Sequence, residues 1–328
     1  MDINLHLGAH RCASSTFQGY LWRNRVALAR GGLTCWTPKR TRDGLMAGMI
    51  RHPESITLQD EHRAARSVGR IRLEISRLGR AGQDRLLISE ENLIGSSRRN
   101  VRMTSLYPLV SERLLRFVPA FEGHRLRIGI GVRSYEDYWA SALAYILQTG
   151  GARPTVDQLD FLTTQPRRWR DVIRDIGAVF PQADVFVFPF ERFADQPDAI
   201  LDTFCDGAAD PLPAGFTHHN KSPNLGELNT LLDLRGERRL DGGARSDHRR
   251  WMPFDEDQRA VLRAEYRRDL AWLKAGAEGL ARYVEGRKTP ATLPDRAQEE
   301  TRVGTPTLTL MKGQTDGIEK RLERPRTG

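Results

Sequence analysis

Short apolar runs alternate with longer stretches of helical periodicity along most of this chain, and no other feature of the sequence constrains the fold as strongly. Residues 3–8, 85–93, 124–134 and 183–191 have the β-compatible character of strands. Helices are predicted over "SSTFQGYLWRNRVALARGG", closed by Gly31-Gly32, and over 60–80, 105–119, 135–147, 165–179, 198–207, 224–240 and 255–284. In the last of these, Val261, Leu262, Tyr266, Leu270 and Leu273 form an apolar stripe expected to face the core. Strands alternating with helices make an α/β domain whose central, mainly parallel sheet is flanked by helices on both faces. That domain is expected over 1–284. From 285 to 328 the chain turns polar, loses periodicity and reads as a disordered tail.

A chain of 328 residues can bury a core large enough for one such domain. No apolar run approaches the roughly 18 residues of a membrane span. The N-terminal "MDINLHLGAH" lacks the basic and apolar regions of a secretory signal, so the cytoplasm is the expected compartment. Cys12, Cys35 and Cys205 show no CxxC pairing, which argues against a disulfide framework and a zinc ribbon. The net charge of +9 favours an anionic partner, and with only six lysines the excess is arginine. No basic block is interleaved with aromatics and no nucleic-acid motif is present, so specific nucleic-acid binding is not expected.

Parallel sheets take ligands at the carboxyl ends of their strands, where helix N-termini offer free N–H groups to anions. The stretch "LHLGAHRCASSTFQGYL", residues 5–21, has that form: strand, small-residue turn, helix. Set on the frame G-x-x-x-x-G-K-[ST], Gly8 takes the first glycine and Ser15 the hydroxyl. Ala13 then falls on the second glycine and Ser14 on the lysine. Without that lysine a magnesium–triphosphate is a poor fit. A thiol phosphatase loop starting at Cys12 needs arginine at 18, where Gln18 stands. Cys12 is expected to be a small filler.

The same stretch resembles the 5′-phosphosulfate loop of the PAPS-dependent sulfotransferases, whose bacterial carbohydrate-type members carry a sequence like "LHIGxHKTGTTxLQ". His10 matches the histidine, Arg11 the lysine, Ala13 the glycine, and Ser14 and Ser15 the two threonines. The resemblance implies that His10, Arg11, Cys12, Ala13, Ser14, Ser15 and Thr16 hold the cofactor's 5′-phosphate, with Arg11 stabilising the leaving group. Arginine keeps the charge and a bidentate fork but cannot donate its proton as lysine can. Alanine at 13 is expected to be strained where the family has glycine.

Other stretches extend the resemblance over residues 3 to 280. In "IGIGVRSYEDYWASALAYIL", Arg133 ends a strand and Ser141 lies eight residues on in the next helix. They resemble the family's 3′-phosphate clasp, in which a guanidinium fork and a hydroxyl meet phosphate. In "LLISEENLIG" a strand ends in Glu90 and Glu91, where carbohydrate-type members carry a glutamate base; the family's "SSEN" aligns it with Glu91. The other carboxylate is expected to cap the next helix or pair with arginine. In "HHNKSPNLGELNTLL", Asn220, Lys221 and Ser222 resemble cofactor contacts, and His218 and His219 read as exposed loop residues. Phe190 and Glu191 are expected to be structural, as are Tyr107, Arg98, Arg99 and Trp139, which are acceptor candidates by placement alone.

The resemblance therefore implies a P-loop-like sulfotransferase fold and transfer of a sulfuryl group from PAPS, with PAP as product and no metal. The acceptor it implies is a hydroxylated small molecule, glycan or glycolipid. The rival expectations are a P-loop kinase or other nucleotide-binding enzyme, and a catalytically weakened PAPS-binding protein.

Overall fold

A computed structural model describes residues 1–207, 221–240 and 248–286. All lie within the first of the chain's two compact units, Met1–Arg287. Most of the expected tail, from residue 287 on, lies outside the described residues, as do Asn220, His218 and His219.

The strands are β1 (Asp2–His6), β2 (Leu33–Trp36), β3 (Arg85–Ser89), β4 (Arg125–Val132), β5 (Asp184–Pro189) and β6 (Arg282–Tyr283). They form one sheet in the order β2-β3-β1-β4-β5-β6, and every pairing is parallel. Among the helices are α1 (Ser14–Arg30), α2 (Leu58–Arg80), α3 (Tyr135–Gln148), α4 (Trp169–Val179), α5 (Pro197–Phe204), α6 (Leu225–Leu234) and α7 (Glu256–Lys274). Capping boxes start α2 (Thr57 with Asp60), α6 (Asn224 with Glu227) and α7 (Asp255 with Gln258), each satisfying amide donors that the first turn leaves open. None of these helices is long and apolar enough to cross a membrane.

The fold is the expected α/β class, with local corrections. Strands β2 and β6 were not expected; four residues and two are too short to show a period. The predicted helix over 105–119 is two short helices, Val110–Leu115 and Val118–Phe121, because Pro108 and Pro119 lack an amide donor and restrict the residue before them. The third strand stops at Ser89 and a 3₁₀ turn, Glu91–Leu93, follows. The stripe on α7 is narrower than expected: Leu262, Tyr266 and Leu273 are buried, but Val261 is 45% exposed.

Side chains alternate along the strands, so each strand feeds two cores. Ile3, Leu5 and Leu7, Leu86 and Ile88, Ile128, Ile130 and Val132, and Val185 and Val187 join the larger core. Leu87, Phe186 and Phe188 face the other side, where Phe17, Tyr20 and Leu21 of α1 and Ile200, Leu201 and Phe204 of α5 pack. On β4 that second face carries Gly129 and Gly131. A Cβ on Gly129 would stand 2.5 Å from the Phe204 ring and 2.8 Å from Phe188. A Cβ on Gly131 would meet Cys12 Cβ at 2.9 Å and the Gly8 carbonyl at 3.1 Å. The "IGIG" of β4 thus lets a phenylalanine lie on the sheet at one glycine and the loop after β1 cross it at the other. Replacing Gly129 by Ala is expected to destabilise the fold by about 2 kcal/mol through overpacking, and by less in a Phe204→Leu background. Urea unfolding of the two single variants and the double variant checks this; a neutral Gly129→Ala would contradict it.

Candidate functional site

The connection leaving β1 runs through α1 toward one edge of the sheet, and the connection leaving its neighbour β4 runs through α3 toward the other. A crevice opens where neighbouring connections part in this way, outside the carboxyl ends of the strands. A cleft of about 400 Å³ occupies that position. Ala13 to Thr16, the entry of α1, line it on one side. Arg11, Arg133, Lys221 and Arg250 supply its cations, and Phe190, Ser222 and His248 also border it. A larger hollow, about 540 Å³, lies at the start of β5 beside β6, where Asp184, Lys274 and Arg282 line it. It gathers none of the expected site residues, so the smaller cleft is the one that bears on chemistry.

The loop from β1 to α1 is pinned from both sides. Leu7 N–H donates to Gly129 O at 2.8 Å, and Gly131 N–H donates to Gly8 O. Gly8 has φ 88°, and a Cβ there would lie 2.8 Å from Glu91 Cβ. Beyond this point Arg11 and Ala13 both take the left-handed conformation, with φ 62° at each. For a residue with a Cβ this costs roughly 1 kcal/mol. Ala13 is the N-cap of α1, provides no side-chain cap, and is followed by no acidic residue in the first turn. The positive end of a 17-residue helix therefore opens on the cleft without a side-chain acceptor from its own cap.

Arg11 reaches across the cleft. Its Nε donates to Ser141 Oγ at 2.8 Å and its Nη2 to Ser222 Oγ at 2.9 Å; the two hydroxyls are 2.5 Å apart. Arg133, only 8% exposed, donates from Nη1 to the Arg11 carbonyl at 2.7 Å and lies 3.8 Å over the Phe190 ring. Among the described residues its Nε has no hydrogen-bond partner, nor has the buried Nε of Arg250. Arg250 is paired with Asp137. Among the described residues neither Arg11 nor Arg133 is in an ion pair. Burial, then the proximity of Arg250, lowers the Arg133 guanidinium to about 10, and burial likewise lowers Arg11. Both remain cationic at neutral pH.

The two glutamates differ sharply. Glu90 is fully buried and accepts from Thr41 Oγ1 at 2.5 Å, from Arg42 Nη2 at 2.7 Å and from Asn92 N–H at 3.0 Å. Its oxygens are committed to structure. Glu91 keeps part of its carboxylate open and accepts from Gln18 Nε2 at 2.6 Å and from Arg42 Nη2 at 2.9 Å. Burial alone would raise its carboxyl, but nearby His10 and Arg42 and the Gln18 hydrogen bond hold it below the usual carboxylate range. Burial likewise lowers His10, against the pull of Glu91, which raises it.

Arg11, Ala13, Ser14, Ser15, Thr16, Arg133, Lys221 and Ser222 come together at the cleft. Ser141 is fully buried and acts on the cleft through Arg11 and Ser222. Two expected contacts do not line it. The Cys12 amide donates to Ala9 O, its thiol is buried against Gly131, and burial pushes the thiol up to about 12. His10 turns to the Glu91 side: its amide donates to Tyr107 Oη at 2.9 Å, and its ring bonds Tyr107 Oη and Asn92 Oδ1. Since Asn92 Oδ1 can only accept, His10 carries its proton on Nε2. Tyr107 and Trp139 are core residues, while Arg98 and Arg99 hold Thr149 and Glu54. Phe190, expected to be structural only, borders the cleft beneath Arg133. Arg42, His248 and Arg250 had no signal in the sequence. Gln18 had one, since it occupies the glutamine of the loop motif, but no role was attached to it.

Among the described residues no group of three or more His, Cys, Asp or Glu side chains is placed to hold a metal ion. A scan against protein-family models and searches of curated proteins and of solved structures returned no match.

Replacing Ala13 by Gly is expected to raise stability by about 0.5–1 kcal/mol, since glycine takes a left-handed N-cap at lower cost. Chemical denaturation measures it; a lowered midpoint would show that Ala13 carries no strain.

Proposed function

We propose that this chain is a PAPS-dependent sulfotransferase that moves a sulfuryl group to a hydroxyl of a carbohydrate or glycolipid. The observation that carries the reading is the pair of guanidiniums, Arg11 and Arg133, turned on one cleft with no carboxylate partner among the described residues. Two crowded cations beside an uncapped helix N-terminus call for an anion, and the donors fall into two groups. The entry of α1 with Ser14 and Ser15 forms one. Arg133 and Lys221 form the other, with the unpartnered Nε atoms of Arg133 and Arg250 marking unused hydrogen-bonding capacity. That donor set fits a nucleotide bearing two separate phosphates.

PAPS supplies an activated sulfuryl group on its 5′-phosphate. The helix entry, Ser14, Ser15 and Arg11 would hold the 5′ side, and Arg133, Lys221 and Ser222 the 3′ side. Arg11 stays charged throughout, so it stabilises negative charge on the leaving side but cannot act as its acid. Glu91, on the opposite flank of the loop, would take the proton of the acceptor hydroxyl. As an ionised carboxylate fixed by Gln18 and Arg42 it accepts without first losing a proton. The second reading, a binding protein without turnover, is favoured by the engagement of Arg11 with Ser141 and Ser222, which draws it toward those hydroxyls. It predicts cofactor binding but no transfer to any acceptor.

Isothermal titration is expected to show PAP binding in the presence of EDTA and weaker binding of magnesium–ATP; tighter magnesium–ATP would favour a kinase. Arg133→Ala is expected to weaken PAP about 10- to 100-fold, the loss of a charge-assisted hydrogen bond, and Arg133→Lys to restore it only in part. With ³⁵S-labelled PAPS and a glycan or glycolipid fraction, Glu91→Gln is expected to lower transfer by about 100-fold or more while leaving PAP affinity intact. Because Glu91 titrates below its ordinary 4.5, the acid limb of kcat/KM should fall below pH 4.5, with the rate lost as pH drops through it. A limb near pH 6 would assign the base elsewhere.

A further inference from the structure

Helix α2 rests on the domain through Ser67, Ile71 and Ile75, which are buried. With 3.6 residues per turn, Arg66, Arg70, Leu73, Arg77 and Arg80 fall on one stripe away from that contact, and all five are exposed. From Arg66 to Arg80 the stripe is about 21 Å long. Of the arginines of this helix, Arg63 pairs with Asp60, Arg72 with Glu122, and Arg77 with Glu74. Among the described residues Arg66, Arg70 and Arg80 have none. On α7, by contrast, Arg259 and Arg263 pair with Glu136 and Glu256, and Arg268 with Glu265. On α2, then, three exposed arginines of the outer stripe, Arg66, Arg70 and Arg80, stand without an ion pair among the described residues, while on α7 only Arg267 does.

The stripe connects to the candidate base. Arg70 Nη1 donates to Gly44 O at 3.1 Å, Ser67 Oγ to Ala47 O at 2.9 Å, and Arg40 pairs with Glu74 at 3.4 Å. These contacts tie α2 to the segment whose Arg42 holds Glu91. In the same segment Lys39 stands 4.0 Å over the ring of Trp22, one helical turn beyond Gln18. Exposed cations therefore run from the Glu91 side of the loop out along α2.

Resting on the sulfotransferase reading, we propose that the acceptor is an anionic glycan chain, with its carboxylate or sulfate groups seated along Lys39, Arg40, Arg66, Arg70, Arg77 and Arg80 while one hydroxyl reaches Glu91. A single row of guanidiniums suits a linear polyanion, and the fork of arginine suits both kinds of oxyanion. A bilayer surface would need apolar side chains to insert, but the stripe offers Leu73 alone. Trp22 is not free either, with Arg25 at 4.2 Å as well as Lys39 against its ring. The same covering leaves no aromatic platform on which nucleic-acid bases could stack.

The test uses a fluorescein-labelled chondroitin sulfate oligosaccharide, with fluorescence anisotropy followed from low to physiological salt. Wild type is expected to bind with strong salt dependence. Arg66→Ser/Arg70→Ser/Arg77→Ser should lose at least 10-fold in affinity and show a shallower salt slope, while Arg267→Ser on α7 leaves both unchanged. The pair Arg66→Ser/Arg80→Ser, which breaks no internal ion pair, should lose affinity in the same direction, and unchanged PAP affinity reports that each variant is folded. Equal binding by wild type and the α2 variants would overturn the proposal. So would tighter binding to phosphatidylserine vesicles or to single-stranded DNA than to the glycan, or equal binding of neutral dextran. If PAP binds but the α2 variants behave as wild type, the acceptor surface alone is wrong. If PAP does not bind wild type at all, the donor reading fails and this acceptor role fails with it.

Discussion

The close crossing of the β1–α1 loop over β4 is the contact on which the rest of the site depends. Gly131 has no side chain, so the Gly8 carbonyl and the Cys12 side chain can lie directly on the strand, and Gly8 in turn lets Glu91 close against the loop. The backbone is thereby held on two sides before any functional side chain is placed. From that fixed ridge Arg11 leaves toward Ser141 and Ser222, and His10 leaves toward Asn92 and Tyr107. Two chemically opposite environments, one cationic and one built around an ionised carboxylate, are separated by a few residues of backbone.

The electrostatics follow from which charges are paired. Arginine is abundant here, and most of it is engaged in ordinary ways: with Glu and Asp on the surface, or, for buried Arg113, with the carbonyls of Ile50, Arg51, Asn92 and Leu93. Against that background Arg11 and Arg133 stand out by position, since both turn on the cleft with no carboxylate partner among the described residues. Removing a guanidinium from water without giving it a carboxylate is unfavourable, and burial accordingly shifts the pKa of both residues down while leaving them cationic. Glu90 and Glu91 show the converse. One arginine, Arg42, serves both carboxylates, but Glu90 is saturated by it together with Thr41 and a backbone amide, whereas Glu91 retains an open edge.

Much of the sheet was legible because parallel strands buried on both faces read as apolar runs, and because Gly31-Gly32 marks the end of the first helix. The short edge strands were not legible, since two or four residues carry no periodicity, and Pro108 and Pro119 broke a helix that pattern alone predicted. At the site, residues carried on the loop and at strand ends could be found, because a motif fixes their spacing: Arg11, Ser14, Ser15, Arg133, Glu91. Arg250 and Arg42 could not. Each is one arginine among many, brought in by tertiary packing from a segment without a motif. Cys12 and His10 show the other limit: sequence placed them in the loop, but only backbone direction decides which way a loop residue faces.

An uncapped helix has a thermodynamic consequence beyond the cleft. The amide donors at the entry of α1 lack the side-chain acceptor that Ser, Thr, Asp or Asn would supply at position 13, and the Thr16 amide turns back to the Ala13 carbonyl at 3.0 Å. An anion seated there does for the first turn what a capping residue does elsewhere. Occupancy and fraying of the helix entry are then linked equilibria: ligand suppresses local opening, and a first turn that frays readily weakens the ligand by the same free energy. An anion bound at that entry would carry part of the stability of α1.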